Sequence, residues 1–179
     1  MGGSQCALVT LHDLGSSHLS MSELFSLPCL SQLTSRSLLV HLSLPGQQPA
    51  APDQEQTFPS LQEITQSVIH ILNVLNLTEV VLFGVGLGAN LAVRVGLAQP
   101  RLVLGVVVVQ PVVGRSGLLQ TARGRAVVGE LRTGHGKQTD NFLLQHAFGN
   151  FTQGGLLSEE QVRLLTSFRD KLHSTINPR

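Results

Sequence analysis

The stretch Gly84-Val85-Gly86-Leu87-Gly88 has the spacing of a nucleophile elbow, G-x-S-x-G, with glycine where an attacking serine would stand. The same residues, Gly84-x-Gly86-x-x-Ala89, also satisfy the loose dinucleotide pattern G-x-G-x-x-G/A, whose backbone amides receive a pyrophosphate. The two chemistries make different demands. A dinucleotide loop follows the first strand of its unit and needs an acid about 20 residues on to hold the ribose hydroxyls. Here the glycines follow the third apolar run, and no Asp or Glu occurs between Glu79 and Glu130. Neither NAD nor NADP is expected to bind, and no cofactor is expected. A nucleophilic site needs serine, base and acid to converge. Gly86 supplies no side chain, so the elbow keeps its turn and loses its nucleophile. No catalytic residue is assigned.

The elements that must position this turn are visible as apolar runs and turn signals. Strands are predicted at 6–11, 38–42, 80–83 and 104–109. The first ends at His12-Asp13-Leu14-Gly15, the second at Pro45-Gly46. A short helix is expected around Ser22 to Leu27. Ser60-Leu61-Gln62-Glu63 forms a capping box, and Leu61, Ile64, Val68, Ile71, Leu72 and Leu75 recur behind it as one apolar helical face. The helix after the elbow must stop before Pro100. The fourth run is apolar at every position, which predicts a strand covered on both faces, as in a parallel sheet. This βα alternation predicts an α/β doubly wound parallel sheet of four strands with right-handed crossovers. No strand-like run follows Val109. Asp140 to Phe148 is predicted helical, and a second capping box, Ser158-Glu159-Glu160-Gln161, opens a helix with Val162, Leu165, Phe168 and Leu172 on one side. The expected division is a core at 1–111 and a helical, cap-like segment of the same domain at 112–179.

The order of these pieces matches an α/β-hydrolase frame. There the oxyanion hole is built from the N–H of the residue after the nucleophile and an N–H from the loop after an earlier strand. Leu87 occupies the first role, and His12-Asp13-Leu14-Gly15 lies where the second belongs. His12, Asp13, Gly15, Gly84, Gly86, Leu87 and Gly88 therefore outline a vestigial pocket. The Leu87 N–H, at a helix start, is expected to retain affinity for a small anion or carboxylate.

Across most of its length the chain resembles the N-myc downstream-regulated (NDRG) family. The resemblance rests on His12-Asp13-Leu14-Gly15 with His18, and on Leu24-Phe25. It continues through Val40-His41, Pro45-Gly46-Gln47-Gln48, Phe58-Pro59-Ser60-Leu61 and Gly84-Val85-Gly86-Leu87-Gly88-Ala89. Val103-Leu104-Gly105-Val106, His146-Ala147-Phe148-Gly149, Ser158-Glu159-Glu160 and the stretch from Phe168-Arg169 to Asn177-Pro178 follow in order. It departs over 112–137, where the family carries tryptophans. The resemblance implies a non-catalytic α/β-hydrolase-like protein acting in signalling, stress response or differentiation through protein interactions. It also implies truncation at both ends, leaving a fragment, a truncated isoform and a divergent member as alternatives. The competing reading is a weak esterase with an unrecognised nucleophile.

Composition narrows the rest. The chain has 179 residues, enough for one domain with a real core, and 13% are charged with a formal net charge of +1. That balance does not suit nucleic-acid binding. No apolar run reaches membrane-spanning length. The start, Met1-Gly2-Gly3-Ser4-Gln5-Cys6, falls short of the myristoylation pattern because position six is Cys. Two cysteines, Cys6 and Cys29, make no metal or disulfide framework. They are expected to be reduced and buried, which suits a cytoplasmic protein. Asp13 beside His12 is a possible acid–base pair, with a turn-forming Asp the simpler reading. Residues 1–93 hold one basic side chain, Arg36, against six acids, and the remainder holds eleven basic residues against five acids. This break is expected to coincide with a change in structure. Arg115, Arg123, Arg125, Arg132 and Lys137 could form a basic patch for an anion or an acidic partner, although a solvated face is the simpler reading. The 38–42 and 104–109 strands are expected at opposite sides of the sheet. As open edges, they offer a route to self-association or to an unidentified protein partner.

Overall fold

The computed structural model describes residues 6–52, 59–111, 130, 136–149 and 157–175. The chain gathers into two compact units, residues 1–48 with 56–113 and residues 49–55 with 114–179.

The first unit is a four-stranded parallel sheet. Its strands are β1 (Ala7–Leu11), β2 (Leu38–Leu42), β3 (Val80–Val85) and β4 (Val103–Val109), in the spatial order β2-β1-β3-β4. All three pairings are parallel, and Val9 pairs with Val40 on one side and Leu82 on the other. Parallel neighbours require crossovers, and helices supply them. These are α1 (His18–Phe25), a 3₁₀ turn at Pro28–Leu30, α2 (Ser31–Thr34), α3 (Leu61–Val74) and α4 (Leu87–Ala98).

Strand alternation sorts the two faces. Val9, Leu11 and Leu82 pack with Ile64, Val68, Ile69 and Leu72 of α3 and with Leu91, Ala92 and Val95 of α4. Each Val, Leu or Ile among them contributes about 1.5–3 kcal/mol when fully buried. On the opposite face Phe25 of α1 lies edge-on to Phe83 at 5.3 Å and tilted against His41 at 5.9 Å. Thr10 Oγ1 and His41 Nδ1 are 2.7 Å apart between β1 and β2.

Several expectations need correcting. Helix α1 begins at His18 rather than near Ser22, because Ser17 caps it by accepting from the Leu19 N–H. In α3 the buried face runs through Ile64, Thr65, Val68, Ile69 and Leu72, whereas Ile71 and Leu75 are exposed. The capping box at Ser60 and Glu63 is present in both directions. β4 is not covered on both faces: Leu104 is 59% exposed, and Val106 through Val109 are exposed as well. Cys29 is exposed and Cys6 only partly buried, with both thiols free. The charge break falls inside α4, where Arg94 Nε donates to Asn90 Oδ1, and marks no structural boundary.

The second unit holds α5 (Lys137–Phe148) and α6 (Glu159–Thr175). Phe148 and Phe168 meet edge to face at 5.2 Å, and Leu143 and Leu172 are buried. Ser158 and Gln161 exchange the reciprocal bonds of the second capping box. The Glu130 carboxylate accepts from the Thr139 N–H and hydroxyl, and these bonds hold its pKa below the usual range.

Candidate functional site

The elbow is where β3 turns into α4. Gly84 lies within β3, opposite Leu11 of β1 and Val108 of β4. Gly86 follows β3 and caps α4 at φ +54°, ψ −111°, and its N–H donates to the Val109 carbonyl at 2.9 Å. A left-handed φ is open to glycine and costs an L-residue roughly 1–3 kcal/mol. Gly88, in the first turn of α4, lies so close to the end of β1 that a Cβ there would collide with the Leu11 and His12 carbonyl oxygens.

The β1 exit loop faces this turn. His12 is fully buried. The Leu44 N–H donates to His12 Nε2 at 3.0 Å, so Nε2 is unprotonated, and Nδ1–H donates to the Asp13 carbonyl at 2.8 Å. His12 is thus a neutral structural group that ties β1 to the segment after β2. Burial pushes its pKa down, partly offset by the carbonyl bond and the charge of Asp13. The His41 pKa is also lowered, first by burial and then by His18. Gly15 adopts φ +74°, and its N–H donates to Gln47 Oε1 at 2.8 Å.

The decisive group is the Asp13 carboxylate. Its Oδ1 accepts from the Leu14 N–H at 2.7 Å and from the Leu87 N–H at 2.7 Å. These amides stand at the two positions that make an oxyanion hole in a hydrolase: the loop after an early strand and the residue after the nucleophile. The carboxylate also takes the space a side chain on residue 86 would need, since a Cβ on Gly86 would overlap the Asp13 carboxyl group. Hydrogen bonds to a charged acceptor contribute about 1.5–3 kcal/mol each. The N-terminus of a 12-residue helix adds a favourable field. Both ring nitrogens of His12 are engaged by backbone groups, the Asp13 carbonyl and the Leu44 N–H, which fits Asp13 as a turn residue rather than as the acid partner of His12.

Asp13 meets Gly86 and Leu87, the His12 carbonyl lies against Gly88, and Gly84 packs on Gly88 and Ala89, while the contact of Gly15 is with Gln47. The Leu87 N–H, expected to hold a small anion or carboxylate, donates to the carboxylate of Asp13. Sequence reasoning missed Leu14 as the second donor, Leu44 as the donor to His12, and Gln47 as the acceptor for Gly15. For the first of these the signal was the position of the His12-Asp13-Leu14-Gly15 loop, expected to supply the second amide without its donor being named. Arg115, Arg123, Arg125 and Arg132 of the proposed basic patch lie outside the described residues, and Lys137 opens α5. His135 also lies outside them, His146 is in α5, and His173 Nε2 contacts Asp140 Oδ1 at 2.8 Å. Among the described residues no group of three or more His, Cys, Asp or Glu could hold a metal ion, and no helix is long and apolar enough to cross a membrane.

The family model of the Ndr family matches residues 2–179. The chain belongs to the Ndr family. It is 32% identical to Protein NDRG3 of Xenopus tropicalis over 110 residues, covering 60% of this chain and 28% of that protein. It is 24% identical to Protein NDRG4 of the same species over 178 residues, 98% of this chain and 41% of that protein. With the Uncharacterized protein ZK1073.1 of Caenorhabditis elegans it shares 24% identity over 180 residues, 99% of this chain and 52% of the other. The chain thus spans about half the length of that relative or less of the others. Among solved structures, MenH from S. aureus superposes with a TM-score of 0.71 at 14% identity, over 98% of this chain and 63% of that one. A hydrolase from Pseudomonas aeruginosa PA01 gives 0.68 at 16% identity, over 99% and 62%. Both likenesses establish an α/β-hydrolase-like fold for this Ndr-family chain.

Proposed function

We propose that this chain is a non-catalytic member of its family that acts in the cytoplasm, in signalling, stress response or differentiation, through protein interactions. The observation that carries this reading is the Asp13 carboxylate lying where a nucleophile and an oxyanion would otherwise meet. A hydrolase stabilises negative charge that develops on substrate with amides held ready for it. Here the amides of Leu14 and Leu87 already hold a negative charge, and position 86 has no hydroxyl. The exposed apolar side chains of β4 support an interaction role, because a sheet edge also presents unpaired N–H and C=O groups.

The test is turnover of p-nitrophenyl esters from acetate to octanoate by the full chain. Rates equal to those of a mock purification are expected. Turnover well above that background, abolished by substituting a residue of this chain, would replace this reading with an esterase using another nucleophile. Fractionation that places the tagged protein in the cytosol is expected; recovery with membranes would count against the assigned compartment.

A further inference from the structure

We infer that the Leu14 and Leu87 amides form a carboxylate-binding site whose resident ligand is the chain's own Asp13. Asp13 acts as a tethered plug that excludes free carboxylates. The inference rests on the non-catalytic reading of the elbow and extends it, because an inert elbow could equally be an open pocket that admits small acids.

What makes this more than a helix end is the fit of one carboxylate to the Leu87 amide, its neighbouring Leu14 amide and the space above Gly86. The Leu87 N–H belongs to α4 and the Leu14 N–H to the loop after β1, and both converge on the same oxygen, Oδ1 of Asp13, at 2.7 Å. The ligand is therefore present and its class is known. Gly86 is the complementary half of the device. A Cβ at that position would strike the Asp13 carboxyl group, so the plug requires the glycine, and the glycine leaves the space the plug fills. The surrounding bonds hold the β1 exit loop in place: the Gly15 N–H on Gln47 and the Leu44 N–H on His12 fix the residues on either side of Asp13. A ligand attached to such a loop competes at the effective concentration set by its tether, which for short tethers is on the order of millimolar or above. A free monocarboxylate that makes the same two bonds and nothing more does not displace it.

The experiment follows the amide resonances of Leu14 and Leu87 by ¹H–¹⁵N NMR in the full chain, with sodium acetate as the probe and sodium chloride at equal ionic strength as the control. In the native chain acetate is expected to leave both resonances unmoved. In Asp13→Ala both amides should shift upfield and exchange with solvent at least tenfold faster, and acetate should return them toward their native positions. Chloride should not. Asp13→Asn, which keeps the shape and an acceptor oxygen, secures the test where the alanine variant unfolds: upfield movement of these two amides is expected with the rest of the spectrum retained. Saturable movement of the native resonances by acetate would overturn the plug. So would amides that do not respond to Asp13→Asn, or a folded Asp13→Ala that acetate does not restore. Ester turnover is a separate readout: its appearance in the native chain would overturn the non-catalytic reading without moving these resonances.

Discussion

A serine placed at position 86 would have to hold φ near +54° and share space with the Asp13 carboxylate. The Gly86→Ser variant is therefore expected to lose stability, by about 1–3 kcal/mol from the backbone alone, and to gain no esterase activity. A lowered Tm with background p-nitrophenyl acetate turnover is the expected pair of results; turnover well above the parent would show that the carboxylate yields the site. His12 makes a second prediction at this scale. Its folded pKa lies below the ordinary 6.5 because burial disfavours the cation. The unfolded chain then binds more protons than the folded one once the pH falls below about 6.5, so stability is full above that pH and is lost as the pH drops toward the lowered folded pKa. Urea midpoints should fall between pH 7.5 and 5.5. His41 shifts in the same direction, so His12→Gln should reduce this dependence without abolishing it. An unchanged slope would remove His12 from the account.

At the scale of elements, the N-terminus of α3 is a self-contained device. Ser60 Oγ accepts from the Glu63 N–H, and the Glu63 carboxylate accepts from the Ser60 N–H at 2.7 Å. Ser60→Ala should cost about 1 kcal/mol in urea unfolding, with the slope unchanged. The β4 edge carries a different consequence. Val107 is 46% exposed on a strand that, among the described residues, is bonded on one side only, to β3. If this edge pairs copies of the chain, the parent should sediment as an oligomer and Val107→Lys as a monomer; a monomeric parent, or association unchanged by the lysine, would remove the edge as an interface. These elements show what local pattern can reveal. The four strands were legible because short apolar runs end at glycine, proline or aspartate, and α3 because its cap and its period agree. The start of α1 was not: Ser16, Ser17, Ser20 and Ser22 are all competent caps, and only docking of Phe25 beneath the sheet selects Ser17. Ile69 was missed in favour of Ile71 because a helical period fixes spacing, while packing against α4 and the sheet chooses which residues it buries.

For the whole molecule, the missing serine could be read from one position, but the occupied oxyanion hole could not, because the residues that fill it are distant in sequence. Asp13 and Leu87 are 74 residues apart. No local period or cap signal reports such a pairing; it exists only once β1 and β3 lie side by side. That separation has a kinetic consequence. The bond can close only after the crossover through β2 and α3 has been traversed and the parallel strands have found their register, so it belongs to the last events of folding. An interaction absent from the transition state acts as a latch on the way out and contributes nothing on the way in. In stopped-flow experiments Asp13→Asn should steepen neither arm and leave the refolding rate near that of the parent, while the unfolding rate rises. Slower refolding instead would place the elbow in the folding nucleus. On this account the charge seated at the elbow sets how long the folded chain persists.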